Sequence, residues 1–306
     1  MPPVTAAFFF GSLDVRQAAI FTAMNYRHAF HAGNFADVVK HAILSRLVAH
    51  LRKKDSAFRV IDTHAGAGMY NLTGPEALRS PEWKDGIARL LEATIDPPAQ
   101  GLLQTYLDAV RAANPPGKII RYPGSPLLVR AWLRRTDRLV ACELEPSAAK
   151  ALAQNLHGDR HVKTIAIDGW TALSAYIPPK ERRGLVLIDP PYEQPDEFPR
   201  LAEALCAALD KWPTGIFFAW YPIKEASQTV ALLRDLRARK VANMLRAEFM
   251  VSSSPDDTRL RGSGQLIINP PWTLEQDLKI LLPALAKILA PGVKDAVRID
   301  WLSPKR

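Results

Sequence analysis

Asp189, Pro190, Pro191 and Tyr192 follow directly on the apolar run Gly184, Leu185, Val186, Leu187 and Ile188. A run of that kind reads as a buried parallel strand, and open α/β sheets hold their ligands just beyond the carboxyl ends of such strands. An acid and an aromatic on a proline-locked turn suit the methylation of an exocyclic amine. That amine is a poor nucleophile, because its lone pair is delocalised into the base. A site that methylates it must accept its N–H hydrogens and hold the base flat. Asp189 with a backbone carbonyl meets the first need and a stacking Tyr192 the second, while Pro190 and Pro191 freeze the turn that aims them.

Pro-Pro pairs recur in this chain, so the pair alone carries little. Asp96-Pro97-Pro98-Ala99 and Asn114-Pro115-Pro116-Gly117 lack the aromatic, follow no strand and read as loop or helix-end punctuation. Asn269-Pro270-Pro271-Trp272 is a closer competitor, since it follows the strand-like Gln265, Leu266, Ile267 and Ile268. It falls after the βα alternation has stopped, which predicts a late antiparallel hairpin away from the centre of the sheet. Asp189 is therefore preferred over Asn269 as the acceptor.

The elements needed to position such a turn are legible along the chain. From about residue 34 a helix is predicted, with Asn34 as N-cap and Asp37 in its first turn. Its apolar arc contains Val39, Ile43, Leu44, Leu47, Val48 and Leu51, with Ser45, Arg46, Ala49, Arg52 and Lys53 facing away. At 100° per residue, Asp37, Lys40 and His41 align with Leu44, Val48 and Leu51 and form a polar end to the inward stripe, read as a wall of the site. Phe58 to Ile61 reads as a strand ending in Asp62-Thr63-His64-Ala65-Gly66-Ala67-Gly68, a glycine turn that lets a ligand approach backbone N–H groups. Residues 72–118 read as a helical insertion. Alternation then resumes: a helix from Pro123 to Leu133, a strand Leu139 to Cys142 ending at Glu143, a helix from about Ser147 to Leu156, and a strand near Val162 to Ile167 ending at Asp168 and Gly169. The Asp189 strand, a helix over 197–210 and a strand Ile216 to Trp220 complete the pattern. The fold expected is α/β, a Rossmann-like, mostly parallel open sheet with a late antiparallel hairpin and an inserted helical subdomain.

Acids thus stand at the ends of four successive strands: Asp62, Glu143, Asp168 and Asp189. An adenosine cofactor accounts for all four. Glu143 is placed to accept from ribose hydroxyls, Asp168 with Gly169 to border adenine, and Asp62 to Gly68 to border an amino-acid portion. S-adenosylmethionine fits, with catalysis mainly by alignment and polarisation of the amine, and no metal is expected.

With 306 residues, 48% of them hydrophobic and 23% charged, the chain has the length and composition of a globular α/β protein. Its net charge of +9 favours a polyanionic partner. Cys142 and Cys206 form neither a disulfide framework nor a metal-ligand spacing, which suits a reducing cytoplasm. Residues 1–23, with Phe8, Phe9 and Phe10 among small residues, lack a basic n-region and a span long enough for a membrane. They read as a dispensable extension ahead of Met24 and the main domain, 24–306.

From Met24 onward the chain resembles the RlmJ family, bacterial 23S ribosomal RNA adenine-N6 methyltransferases. The resemblance is carried by Tyr26-Arg27-His28-Ala29-Phe30-His31-Ala32-Gly33-Asn34, Asp37 to His41, Asp62 to Gly68, Tyr122-Pro123-Gly124-Ser125-Pro126 and the Asp189 tetrad. It implies a class I methyltransferase sheet acting on one adenine of 23S ribosomal RNA. It also implies cofactor contacts at Lys40, His41, His64, Gly66, Ser125, Glu143, Asp168, Gly169 and Asp189, with Tyr26 and His28 touching RNA. Residues 1–23 precede the usual start of that family. The mixture of aromatic and basic groups from Tyr26 to His31 independently suits unpaired nucleotides, and Lys180, Arg182, Arg183, Arg259 and Arg261 are candidate phosphate contacts. The polar segment Ser252 to Gly264 reads as a mobile hairpin loop. The expected setting is a cytoplasmic monomer acting on 23S RNA before full ribosome assembly, with no membrane partner. The competing readings are an idle RNA-binding or ribosome-assembly factor, a DNA adenine-N6 methyltransferase, and a methylase of protein glutamine amides, the last disfavoured by the basic balance.

Overall fold

The computed structural model describes residues 27–224, 226–252 and 260–303. Tyr26, residues 1–23, Arg259 and most of the predicted hairpin loop lie outside them. A 3-10 turn, His28–Phe30, leads into helix α1 (Phe35–Arg52), which starts where Asn34 Oδ1 accepts the Asp37 N–H. Strand β1 (Arg59–Asp62) and a short strand β2 (Met69–Asn71) follow. Three helices come next, α2 (Pro75–Arg79), α3 (Ile87–Glu92) and α4 (Pro97–Ala112), and then β3 (Arg121–Pro123). β2 and β3 pair antiparallel, so the helical segment is hung on a small two-stranded clip that the sequence did not announce. The chain continues through α5 (Ser125–Trp132), β4 (Arg138–Glu143), α6 (Pro146–Asn155), β5 (Val162–Ala166), α7 (Gly169–Ala175), β6 (Gly184–Ile188), α8 (Glu197–Lys211) and β7 (Ile216–Ile223). It ends with α9 (Ala226–Ala238), β8 (Met244–Met250), β9 (Gly262–Ile268), α10 (Leu274–Leu289) and β10 (Val297–Trp301).

Eight strands form one sheet in the order β5-β4-β1-β6-β7-β9-β8-β10. β5 through β7 are parallel, while β9 inserts antiparallel between β7 and β8. The chain leaves β1 towards β4 and β5, then returns to β1's other side as β6. This reversal opens a crevice beyond the carboxyl ends of β1 and β6. The predicted late hairpin is there, although β9 lies directly beside β7 rather than at the sheet's margin.

Strand residues alternate between two cores, as the two-residue period requires. Val60, Leu139, Leu185, Leu187 and Phe218 pack beneath α1, α4, α5 and α10. Ile61, Val140, Val186, Ile188 and Phe217 face the other layer, with α7, α8 and α9. α1 is the most enclosed helix. Of its predicted outward side, Arg52 and Lys53 are exposed and Arg46 and Ala49 partly so, whereas Ser45 is a correction, being 1% exposed and giving its hydroxyl to the Ala42 carbonyl. A helix covered by the sheet on one side and by helices on the others has little wet face left. Among the described residues no helix is long and apolar enough to cross a membrane.

Candidate active site

The turn after β6 is held tightly. Tyr192 adopts φ +53°, the left-handed region that non-glycine residues rarely enter, and persists there because its hydroxyl donates to the Trp220 carbonyl at 2.7 Å. Its half-buried ring packs on Phe198 and against the edge of Trp220. Pro190 is buried and Pro191 partly so. Asp189 Oδ2 accepts a 2.5 Å hydrogen bond from Lys40 Nζ, which also lies 2.9 Å from Asp37 Oδ1. The sheet thus brings residues 149 positions apart into one ion cluster.

Asp37 is 1% exposed and is the hub of that cluster. Besides Lys40, it accepts the Gly33 N–H at 2.9 Å and the His28 Nε2 at 2.9 Å. Burial opposes its ionisation, but His28 and Lys40 outweigh that and hold its carboxyl well below the usual range. Burial likewise opposes the Lys40 charge, and the Asp189 and Asp37 carboxylates overcome it, raising the ammonium above its ordinary value. The Lys40 ammonium also lies 5.9 Å from the Trp220 ring centroid. His28, expected at the RNA, is turned inward onto Asp37 and packs beside Tyr70, so its visible role is to hold the cluster.

His41 points away from the carboxylates. Its Nδ1 meets the Tyr122 hydroxyl at 2.7 Å, which in turn meets Tyr106 at 3.0 Å, and burial pushes the imidazole down to about 3. Its Nε2 is buried without a partner. This chain of two tyrosines behind α1 left no signal in the sequence beyond the Tyr122 run.

At the end of β1, Ser125 donates to Asp62 Oδ2 at 2.6 Å, while Asp62 Oδ1 is buried with no partner. Burial pushes this carboxyl up to about 7. Thr63 gives its hydroxyl to the Leu187 carbonyl and touches His64 Nδ1 at 2.8 Å, locking β1's turn to β6. Burial drops His64 to about 4, a neutral ring set edge-on to Trp170. Gly66 has φ +61°, and a Cβ there would lie 2.1 Å from the Tyr70 hydroxyl. Its N–H is donated to Glu143 Oε2 at 2.7 Å, and Oε1 takes the Glu145 N–H at 2.8 Å. Each of those oxygens keeps a second lone pair for a hydroxyl. Asp168 caps α7 through Thr171 and meets Arg200 at 3.4 Å. Gly169 is demanded by packing, since a Cβ would stand 2.3 Å from the Thr63 carbonyl.

Asn269 is at the wrong rim. Because β9 runs antiparallel to β7, Asn269 lies by the start of β7 and spends its amide on the Pro213 and Gly215 carbonyls, both at 2.8 Å.

A strand order in which the chain reverses beside β1, with acids closing β1, β4 and β6 around one crevice, is that of a Rossmann-like class I methyltransferase. The family description "Ribosomal RNA large subunit methyltransferase D, RlmJ" matches residues 55–303, and the chain belongs to this family. It is 38% identical over 282 residues to "Ribosomal RNA large subunit methyltransferase J" of Escherichia coli K12, covering 92% of this chain and 100% of that one. The Haemophilus influenzae protein of the same name is also 38% identical, over 283 residues and the same shares. Protein LPL1258 from Legionella pneumophila superposes with a TM-score of 0.79 at 33% identity, covering 88% of this chain and 97% of that one.

Proposed function

We propose that this protein transfers a methyl group from S-adenosylmethionine to the exocyclic N6 of an adenine in 23S ribosomal RNA. The observation that carries the reading is the Asp189-Pro190-Pro191-Tyr192 turn at the reversal crevice, with Asp189 ion-paired to Lys40. Bound there, the cofactor would supply an electrophilic methyl group on a sulfonium. Asp189 and the Pro190 carbonyl accept hydrogen bonds from the two N6–H groups, which returns lone-pair density to the nitrogen and aims it in line, and the one proton that N6 sheds after transfer leaves to water. Lys40 fixes Oδ2 of Asp189 in advance, so the acceptor needs no reorganisation during transfer. Tyr192 supports the flat base, which is turned out of any stack it occupies in the RNA.

The cofactor fits the acceptors present. The unpartnered Asp62 Oδ1 is an acceptor for an ammonium, and Glu143 offers two oxygens to ribose hydroxyls. Asp168 and Gly169 border the base, with His64, Gly66 and Ser125 shaping the floor between. The substrate is taken as RNA before full subunit assembly, with the enzyme acting as a cytoplasmic monomer. Tyr26, just ahead of the described segment, is the proposed stacking contact for RNA.

Incubating deproteinised 23S RNA, assembled large subunits and DNA with labelled cofactor, then identifying the nucleoside, tests the reaction. Label in N6-methyladenosine from RNA supports it, whereas label only in DNA or in no substrate overturns it.

Two site predictions follow from the fit. Glu143→Ala is expected to weaken cofactor binding by ~10-fold or more, the loss of a charge-assisted hydrogen bond. An unchanged Kd in calorimetry removes the ribose role. The second concerns pH. Asp62, raised by burial to about 7, binds its proton more tightly in the free fold than in the unfolded chain, where 3.8 applies. Its buried charge therefore costs stability progressively as pH rises from about 4 through about 7. A cofactor ammonium that pairs with Asp62 favours the ionised form, so binding should release a proton at pH 6 and tighten towards pH 8. Calorimetry in two buffers of different ionisation heat reads this, and Asp62→Asn should abolish the dependence.

A further inference from the structure

We infer that the rim of the sheet opposite the catalytic crevice carries a second RNA-binding site, a phosphate pocket formed by Arg135, Arg138, Arg160 and His161. These four side chains line a cavity of about 340 Å³ at the amino ends of β4 and β5. Five residue steps along β4, from Arg138 to Glu143, put ~17 Å between them at about 3.3 Å per residue. The pocket is distinct from the methyl-transfer site.

The acids nearby are already spent. Asp137 is buried against Arg134, Asp159 is paired with Arg130, and Glu181 with Arg59. Arg138 is anchored by donating to the Arg135 and Asp137 carbonyls and lies 3.3 Å from His161 Nδ1. The guanidiniums of Arg135 and Arg160 are exposed and have no acidic partner among the described residues. A concavity with several guanidiniums and no carboxylate on its wall suits phosphate oxygens, which Arg binds as a planar fork.

The positive surface continues along the same rim. Exposed Lys53 and Lys54 follow α1, and exposed Arg182 precedes β6. Further on, beyond β9, Trp272 is 86% exposed. A line of cations with an aromatic at its end matches a nucleic-acid backbone better than a small anion. The inference rests on RNA being the substrate. A structured RNA whose target base enters one rim is large enough to pass the β5 edge and lay a phosphodiester on the other.

The test uses the full chain, a 23S RNA transcript and the double variant Arg135→Gln/Arg160→Gln, whose side chains make no hydrogen bond or ion pair among the described residues. RNA affinity is measured from low to moderate salt, with kcat and cofactor Kd alongside. The slope of log affinity against log salt should become shallower by about 1.5 to 2, near one per phosphate contact. KM for RNA should rise while kcat and cofactor Kd stay unchanged. A control double variant, Arg111→Gln/Lys287→Gln, removes equal charge elsewhere and should leave the slope as in wild type. An unchanged slope in the rim variant, or an equal change in the control, overturns the pocket. Failure of the wild type to methylate RNA would sink the proposed reaction instead, and the binding slopes would still decide the pocket.

Discussion

Asp189→Ala should lower single-turnover methyl transfer by ~10²- to 10³-fold, the usual consequence of deleting one preorganised polar group aimed at the reacting centre. The geometry makes the loss specific. Asp189 is the only member of the tetrad that joins the buried ion cluster, through Lys40, and the other carboxylate on Lys40, Asp37, is already spent on His28, Gly33 and Lys40. Asp189→Asn keeps an oxygen acceptor but no charge for Lys40, so it should retain more activity than the alanine variant. RNA affinity should be close to wild type in both. Transfer surviving within a few-fold in Asp189→Ala, with loss in Asn269→Ala, would move the chemistry to the other rim, against the amide's engagement with the Pro213 and Gly215 carbonyls.

Lys40→Met should cost both stability and turnover. Its ammonium lies between two carboxylates and is 4% exposed, so removing it leaves Asp37 and Asp189 facing each other without their cation. Breaking a buried pair in this way costs about 3 to 5 kcal/mol. For a chain of 306 residues, at about 2.1 cal/mol/K of unfolding entropy per residue, that corresponds to a Tm lower by roughly 5 to 8 °C. The pH dependence has a defined sign. Lys40 is raised above the 10.5 of an unfolded lysine, so its contribution is whole below that value and is lost only as pH rises beyond it. Asp37 is lowered below 3.8, so its contribution is present above that value and is lost as pH falls. The stability gap between wild type and Lys40→Met should therefore be widest across the neutral range and begin to narrow only below about 4 and above about 10.5. Thermal melts from pH 3 to 11 measure it. A gap that grew in acid would show that Asp37 and Asp189 do not depend on Lys40.

The pH and charge behaviour follows from which side chains the sheet brings together, and here sequence and fold contribute differently. A continuous apolar strand runs through the middle of a sheet, so the local run Gly184 to Ile188 is enough to put Asp189 at a strand end. The cap at Asn34 and the stripe ending in Asp37, Lys40 and His41 were equally local, set by helical geometry and by a side chain that bonds its own first turn. The acids after β1, β4 and β6 were legible for the same reason.

What local patterns could not determine was partnership. That Lys40 reaches Asp189 rather than only Asp37 depends on α1 lying across β6, and that His28 faces Asp37 depends on how the preceding turn folds back. The β2–β3 clip consists of two three-residue strands, too short to show a period. The full burial of Ser45 came from helices closing over a face that the sequence marked as polar. Asn269 and Asp189 have equivalent local sequences, strand then Pro-Pro then aromatic. Only strand direction separates them, because β9 runs against β7 and delivers its turn to the opposite rim. The sequence by itself determined which residues could accept an amine proton and at which strand ends they stand. The tertiary structure decided which of them share a crevice, because strand order and direction arise from long-range pairing that no local period encodes.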